Sequence, residues 1–105
     1  IAARRGVKVE QRRVLNAASV PCAPPLQDAW AASIERITGR PALRLPSGAG
    51  HDAMMMASLT DIGMLFVRCG NGGISHHPDE TLSAADADVA ARVFRDFLLH
   101  FKGPT

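Results

Sequence analysis

The sequence contains no tyrosine, a single tryptophan and four phenylalanines in 105 residues. So few rings leave little surface for base stacking, although Arg4, Arg5, Lys8, Arg12 and Arg13 crowd the first stretch. With Glu10 set among them, these cations read as a solvated face, and no nucleic-acid partner is expected. Cysteine is scarce as well. Cys22 and Cys69 stand far apart, outside any CxxC spacing, which supports neither a disulfide framework nor a zinc ribbon. No apolar run approaches membrane-spanning length, and the first residues lack the apolar core of a signal peptide. Reduced thiols, a cytoplasmic location and no membrane partner are the expectation. The chain also lacks an initiating methionine, beginning at Ile1. This points to a piece of a longer protein.

What is present is organised by glycine, proline and apolar spacing. Gly6 stops a short helical end, after which Val7, Val9 and Gln11 alternate with charged residues in strand period. Pro21, Pro24 and Pro25 favour an extended connection and mark a boundary near residue 19. Leu26, Trp30, Ile34 and Ile37 recur at helical spacing, with Gly39 and Pro41 as the stop. Residues 42–45 read as a short strand ended by Pro46. The glycine turn that follows leads into a helix carrying Met54, Met55, Met56 and Leu59, with Asp52 as its cap. Residues 62–67 are nearly all apolar, which suits a strand buried on both faces of a parallel sheet. A last helix begins after Ser83, with Asp86 completing a capping box, and Val89, Val93, Phe94, Phe97, Leu98 and Phe101 form its apolar stripe. The sum is α/β, in the order helix, strand, helix, strand, helix. Two strands of this kind need neighbours outside this sequence, so the chain expressed alone is expected to associate through residues 62–67.

Two segments carry the chemistry. One is Ser47-Gly48-Ala49-Gly50-His51-Asp52; the other is Gly72-Gly73-Ile74-Ser75-His76-His77-Pro78-Asp79-Glu80. His76 follows a buried strand, where α/β proteins place ligands; the plain alternative is a surface histidine without a partner. His77 is weaker, because adjacent residues rarely aim at one atom. Gly48, Ala49 and Gly50 leave backbone amides free at a helix start, a cradle for a carboxylate or phosphate. The methionine run reads as core filling and His100 as a surface residue near a helix C-terminus. A catalytic zinc site needs three protein ligands and an open position. A hydrolytic one also needs a general base. These residues offer one good ligand, with a second open.

In this order and separation the two motifs resemble the closing motifs of the hydantoinase/carbamoylase amidohydrolases. That group includes N-carbamoyl-L-amino-acid hydrolases, allantoate amidohydrolases and β-ureidopropionases, within the dimetal aminoacylase and carboxypeptidase-like superfamily. The resemblance covers most of the chain. It implies that residues 1–19 end a lid domain that also forms a homodimer, and that residues 20–105 are the returning C-terminal part of the metal-binding catalytic domain. It implies His76 as a metal ligand, Gly48, Ala49 and Gly50 as the loop against the substrate, and His51 with Asp52 in support. Two divalent ions, zinc or else manganese, cobalt or nickel, belong to the implied enzyme, together with an N-carbamoyl or ureido substrate. No catalytic residue falls in this stretch; the glutamate base and the other ligands would come from the remainder of the catalytic domain. The implied reaction is hydrolysis of the ureido C–N bond, with this stretch inactive alone. A non-catalytic interaction module and a related zinc peptidase or aminoacylase are the alternatives.

Overall fold

Pro24 and Pro25 open helix α1, Pro24–Thr38, instead of extending the connection before it. A proline in the first helical turn forfeits only an N–H that has no intrahelical acceptor, and its fixed φ suits the helix. The extended connection therefore ends at Ala23, whose N–H donates to the Ile62 carbonyl at 2.9 Å. The computed structural model describes residues 1–103. At the far end of α1, Gly39 adopts φ +68° and donates to the Glu35 carbonyl at 2.9 Å, the stop its sequence position predicts.

Helix α2 is Ala53–Met56 and helix α3 is Ala84–His100. The α3 start follows its capping box: the Asp86 N–H donates to Ser83 Oγ at 3.1 Å, and that hydroxyl donates to Asp86 Oδ2 at 2.7 Å. The 3-10 turn Ala3–Arg5 closes at Gly6, with φ +63°, matching the expected helical end.

α1 and α3 pack together, and their contact holds the core. The Trp30 ring stacks on Phe97 with centroids 3.9 Å apart and planes within 6°, and Phe94 flanks Trp30 at 5.5 Å. Val93 completes the buried set, with Leu26, Ala29, Ile34, Ile37, Leu65 and Val89 packed around it. Ser33 is buried beside this cluster, and its Oγ accepts from Arg36 Nη2 at 3.0 Å. Arg36 reaches on to Asp96 Oδ1, with Nε at 2.9 Å and Nη2 at 2.6 Å, which ties the two helices polar side to polar side.

The expected pattern is corrected in three places. No strand occurs among the described residues. Residues 7–11, 42–45 and 62–67 are irregular, because a strand exists only through a ladder of bonds to a neighbour. Here the cross-segment backbone bonds are isolated, as from Ala23 to Ile62 and from Gly70 to Thr81. Residues 62–67 are not enclosed: Phe66 is 49% and Val67 38% exposed. The methionine helix shrinks to the single turn α2, and Asp52 makes no side-chain cap bond there. Met54 is half-buried, but Met55 and Met56 face solvent, so the run fills no core. On α3 the stripe is split, Val93 and Phe97 buried while Phe94, Leu98 and Phe101 stay 43–57% exposed.

The radius of gyration is 18.4 Å. A compact domain of this length measures roughly 13 Å. One helix pair holds the core, and the first motif shares a groove with Trp30, Ala31 and Ile34 of α1.

Candidate functional site

The turn at Ser47 is organised by its own hydroxyl. Ser47 Oγ accepts the Ala49 N–H at 3.2 Å, lies 3.2 Å from the Ala49 carbonyl and is 2.8 Å from His51 Nε2. A serine bonding the backbone two residues on is a local turn device and needs no helix behind it. Gly48, Ala49, Gly50 and His51 all line an open groove of about 660 Å³, together with Trp30 and Met64. All four residues expected on the substrate side therefore face one concavity.

The anion cradle expected at the start of the methionine helix takes a different form. α2 is a single turn, too short to present an aligned macrodipole, and its first amides are occupied: Met54 N–H donates to His51 O at 2.9 Å and Met55 N–H to Asp52 O at 3.0 Å. What the turn offers a ligand is the glycine backbone and the His51 ring.

His76 is carried on a loop closed at its base. The Gly70 N–H donates to the Thr81 carbonyl at 2.8 Å, and Asn71 Nδ2 donates to the Asp79 carbonyl at 2.6 Å. Within the loop, Gly72 and Gly73 take φ +73° and +77°, and His76 itself takes φ +55°. A left-handed histidine is uncommon and requires a holding contact. Its N–H donates to Glu80 Oε2 at 3.3 Å. His77 is engaged locally: its Nδ1 accepts the Asp79 N–H at 3.1 Å and sits 3.6 Å from Asp79 Oδ2.

The two motifs meet. The His51 and His76 rings lie edge to face, centroids 5.3 Å apart and planes at 82°. His76 is exposed and falls outside the lining of the groove that His51 borders. Its ring nitrogens have no hydrogen-bond partner among the described residues. No group of three His, Cys, Asp or Glu side chains that could hold a metal ion occurs among the described residues. A catalytic metal needs about three protein ligands, and the described residues bring no such set together. No helix among the described residues is long and apolar enough to cross a membrane.

Ser47 and Glu80 hold these two loops, and neither is among the expected site residues. The spacing of Ser47 to Ala49 is the serine-turn signal in the sequence. Glu80 lies four positions beyond His76, and nothing in the linear pattern shows that it returns to that residue's backbone.

Comparison with known proteins agrees with the resemblance drawn from the two motifs. The chain is 46% identical over 76 residues to an allantoate deiminase of Arabidopsis thaliana, covering 70% of this chain and 14% of that protein. It is 41% identical over 101 residues to a probable allantoate deiminase of Oryza sativa, covering 86% of this chain and 20% of that protein. It is 37% identical over 93 residues to an N-carbamoyl-L-amino acid amidohydrolase of Geobacillus stearothermophilus, covering 89% of this chain and 22% of that protein. The chain thus spans between 14% and 22% of the length of these relatives. No solved structure matches it. The expected kinship with the carbamoylase amidohydrolases is borne out by these relatives. Residues 5–100 match the description "Peptidase family M20/M25/M40", and the chain belongs to that family.

Proposed function

We propose that this chain is the C-terminal part of a metal-dependent amidohydrolase that cleaves the ureido C–N bond of allantoate or an N-carbamoyl-L-amino acid. The observation that carries this reading is the meeting of His51 and His76 from two separate motifs, at 5.3 Å between ring centroids. One ring borders an open groove and the other is free to ligate. That is the division of labour a hydrolytic cleft requires.

In this reading Gly48, Ala49 and Gly50 bring backbone against the substrate, where a larger side chain would hold it away. His51 lines the same groove and orients the ureido end. His76 supplies one imidazole to a divalent metal centre, zinc or else manganese, cobalt or nickel, whose other ligands come from elsewhere in the protein. Bound metal would supply Lewis acidity toward water and the ureido carbonyl. The general base also lies elsewhere in the protein, so the chain alone is inactive.

The same reading makes residues 1–19 the end of a lid domain that forms a homodimer and residues 20–105 a portion of an α/β catalytic domain. It is supported by exposed apolar groups on the extended stretch, Val14 at 85% and Leu15 at 81%, and by Leu43, Leu59 and Phe66 standing open on the segments after α1. Such groups find cover against further chain. A cytoplasmic enzyme with reduced Cys22 and Cys69 accords with both thiols being free.

The test is ammonia release by the full-length protein from allantoate and from a panel of N-carbamoyl-L-amino acids, before and after removal of metal by a chelator. Metal-dependent turnover of one class is the expected result. Equal turnover after complete metal removal, or hydrolysis of peptides or N-acyl amino acids alone, would overturn the reading.

A further inference from the structure

We infer that Ser47 is the positioning residue of this site: it holds His51 through Nε2, sets the ring edge to face with His76, and leaves Nδ1 as the nitrogen that meets the substrate. The inference rests on the reading of His51 as a substrate-side residue.

Ser47 Oγ has one proton and two lone pairs. The Ala49 N–H, a fixed donor, takes one lone pair at 3.2 Å. The remaining contacts are His51 Nε2 at 2.8 Å and the Ala49 carbonyl at 3.2 Å. If the hydroxyl donates to Nε2, the neutral ring carries its proton on Nδ1 and offers a donor there. If Nε2–H donates to Oγ, the hydroxyl proton goes to the Ala49 carbonyl and Nδ1 is an acceptor. In both arrangements Nε2 is occupied, and Nδ1 has no hydrogen-bond partner among the described residues. The other ring nitrogen of a histidine is set by the bond the first one makes. Ser47 therefore selects which atom of His51 works.

The same hydroxyl fixes the backbone that carries the ring. By bonding Ala49 it shapes the turn through Gly48 and Gly50, and by bonding His51 it clamps both ends of that turn with one oxygen. The ring so held stands at 82° to that of His76. A ring released from Ser47 would turn about its side-chain torsions and lose both the fixed Nε2 partner and the edge contact.

The experiment compares Ser47→Ala and Ser47→Thr with the parent in the full-length protein. Long-range ¹⁵N–¹H correlation of the imidazoles, with His51 assigned by His51→Gln, reads the tautomer; steady-state kinetics on the ureido substrate reads KM and kcat separately. Ser47→Ala is expected to shift the His51 ring nitrogens, since Nε2 loses its fixed partner, and to raise KM about tenfold, the scale of one hydrogen bond, with kcat much less affected. Ser47→Thr, which keeps a hydroxyl, is expected to restore both. Ring shifts identical in Ser47→Ala and the parent overturn the inference, and so does an unchanged KM. Absence of ureido hydrolysis in the parent overturns the functional reading instead, while the ring shifts still decide whether Ser47 governs His51.

Discussion

His51 lies edge-on to His76, with ring planes inclined by 82°, although each residue belongs to a different motif and a different loop. The contact joins a groove-lining residue to an exposed imidazole. It places the expected substrate side and metal side of the site against each other within a chain whose core is a single helix pair.

His76→Ala in the full-length protein is expected to lower metal content by at least about tenfold and to abolish ureido hydrolysis, since even partners behind a ligand are worth 10–100-fold in metal affinity. Metal analysis after dialysis, paired with ammonia release, checks both. Full metal occupancy with normal turnover would remove His76 from the ligand set.

Gly70→Ala should loosen the loop that carries His76. A Cβ at this position would fall inside contact distance of Thr81 Oγ1, beside the Gly70 to Thr81 backbone bond that closes the loop. The Thr81 hydroxyl must leave its rotamer to admit the Cβ, at a cost of about 1 kcal/mol. Hydrogen exchange of residues 70–81 should accelerate while α1 and α3 keep their protection. Unchanged exchange in the loop would show that Thr81 moves aside freely.

Ser83→Ala removes the acceptor for the Asp86 N–H at the start of α3. The expected cost is about 1 kcal/mol, read from chemical denaturation, with Ser83→Asn restoring most of it. Equal midpoints for Ser83→Ala and the parent would contradict the cap's contribution.

Arg36 and Asp96 supply a pH dependence. The hydrogen bond from the Arg36 guanidinium holds the Asp96 carboxyl below its usual range; partial burial works against this, and Ser33 and the charges of Arg36 and His100 reinforce it. A carboxyl that releases its proton more readily when folded stabilises the fold fully above the ordinary carboxylate value, about pH 4. That contribution fades as pH falls through the depressed folded value. Asp96→Asn is therefore expected to destabilise at neutral pH and to converge with the parent in acid. A stability difference independent of pH would mean the ion pair contributes nothing through its charge.

The isolated chain is expected to self-associate, because Leu43, Leu59 and Phe66 lie 49–83% exposed on segments without a ladder partner. Analytical ultracentrifugation would show a concentration-dependent mass. A monodisperse, cooperatively unfolding monomer would contradict this.

What the sequence determined by itself is local. Gly39 and Ser83 mark where α1 stops and α3 starts, because a left-handed cap and a hydroxyl acceptor act within a few residues. The motif pair was legible for the same reason, being two short runs of residue types with a fixed order. Strand patterns in residues 42–45 and 62–67 were also legible, but a strand requires a neighbour, and here backbone pairing consists of isolated bonds. Only the tertiary structure decided that Glu80 holds the backbone of His76, that Ser47 holds the ring of His51, and that the two rings meet. These contacts depend on how closed turns fold back in three dimensions, and residue spacing along the chain does not encode that return.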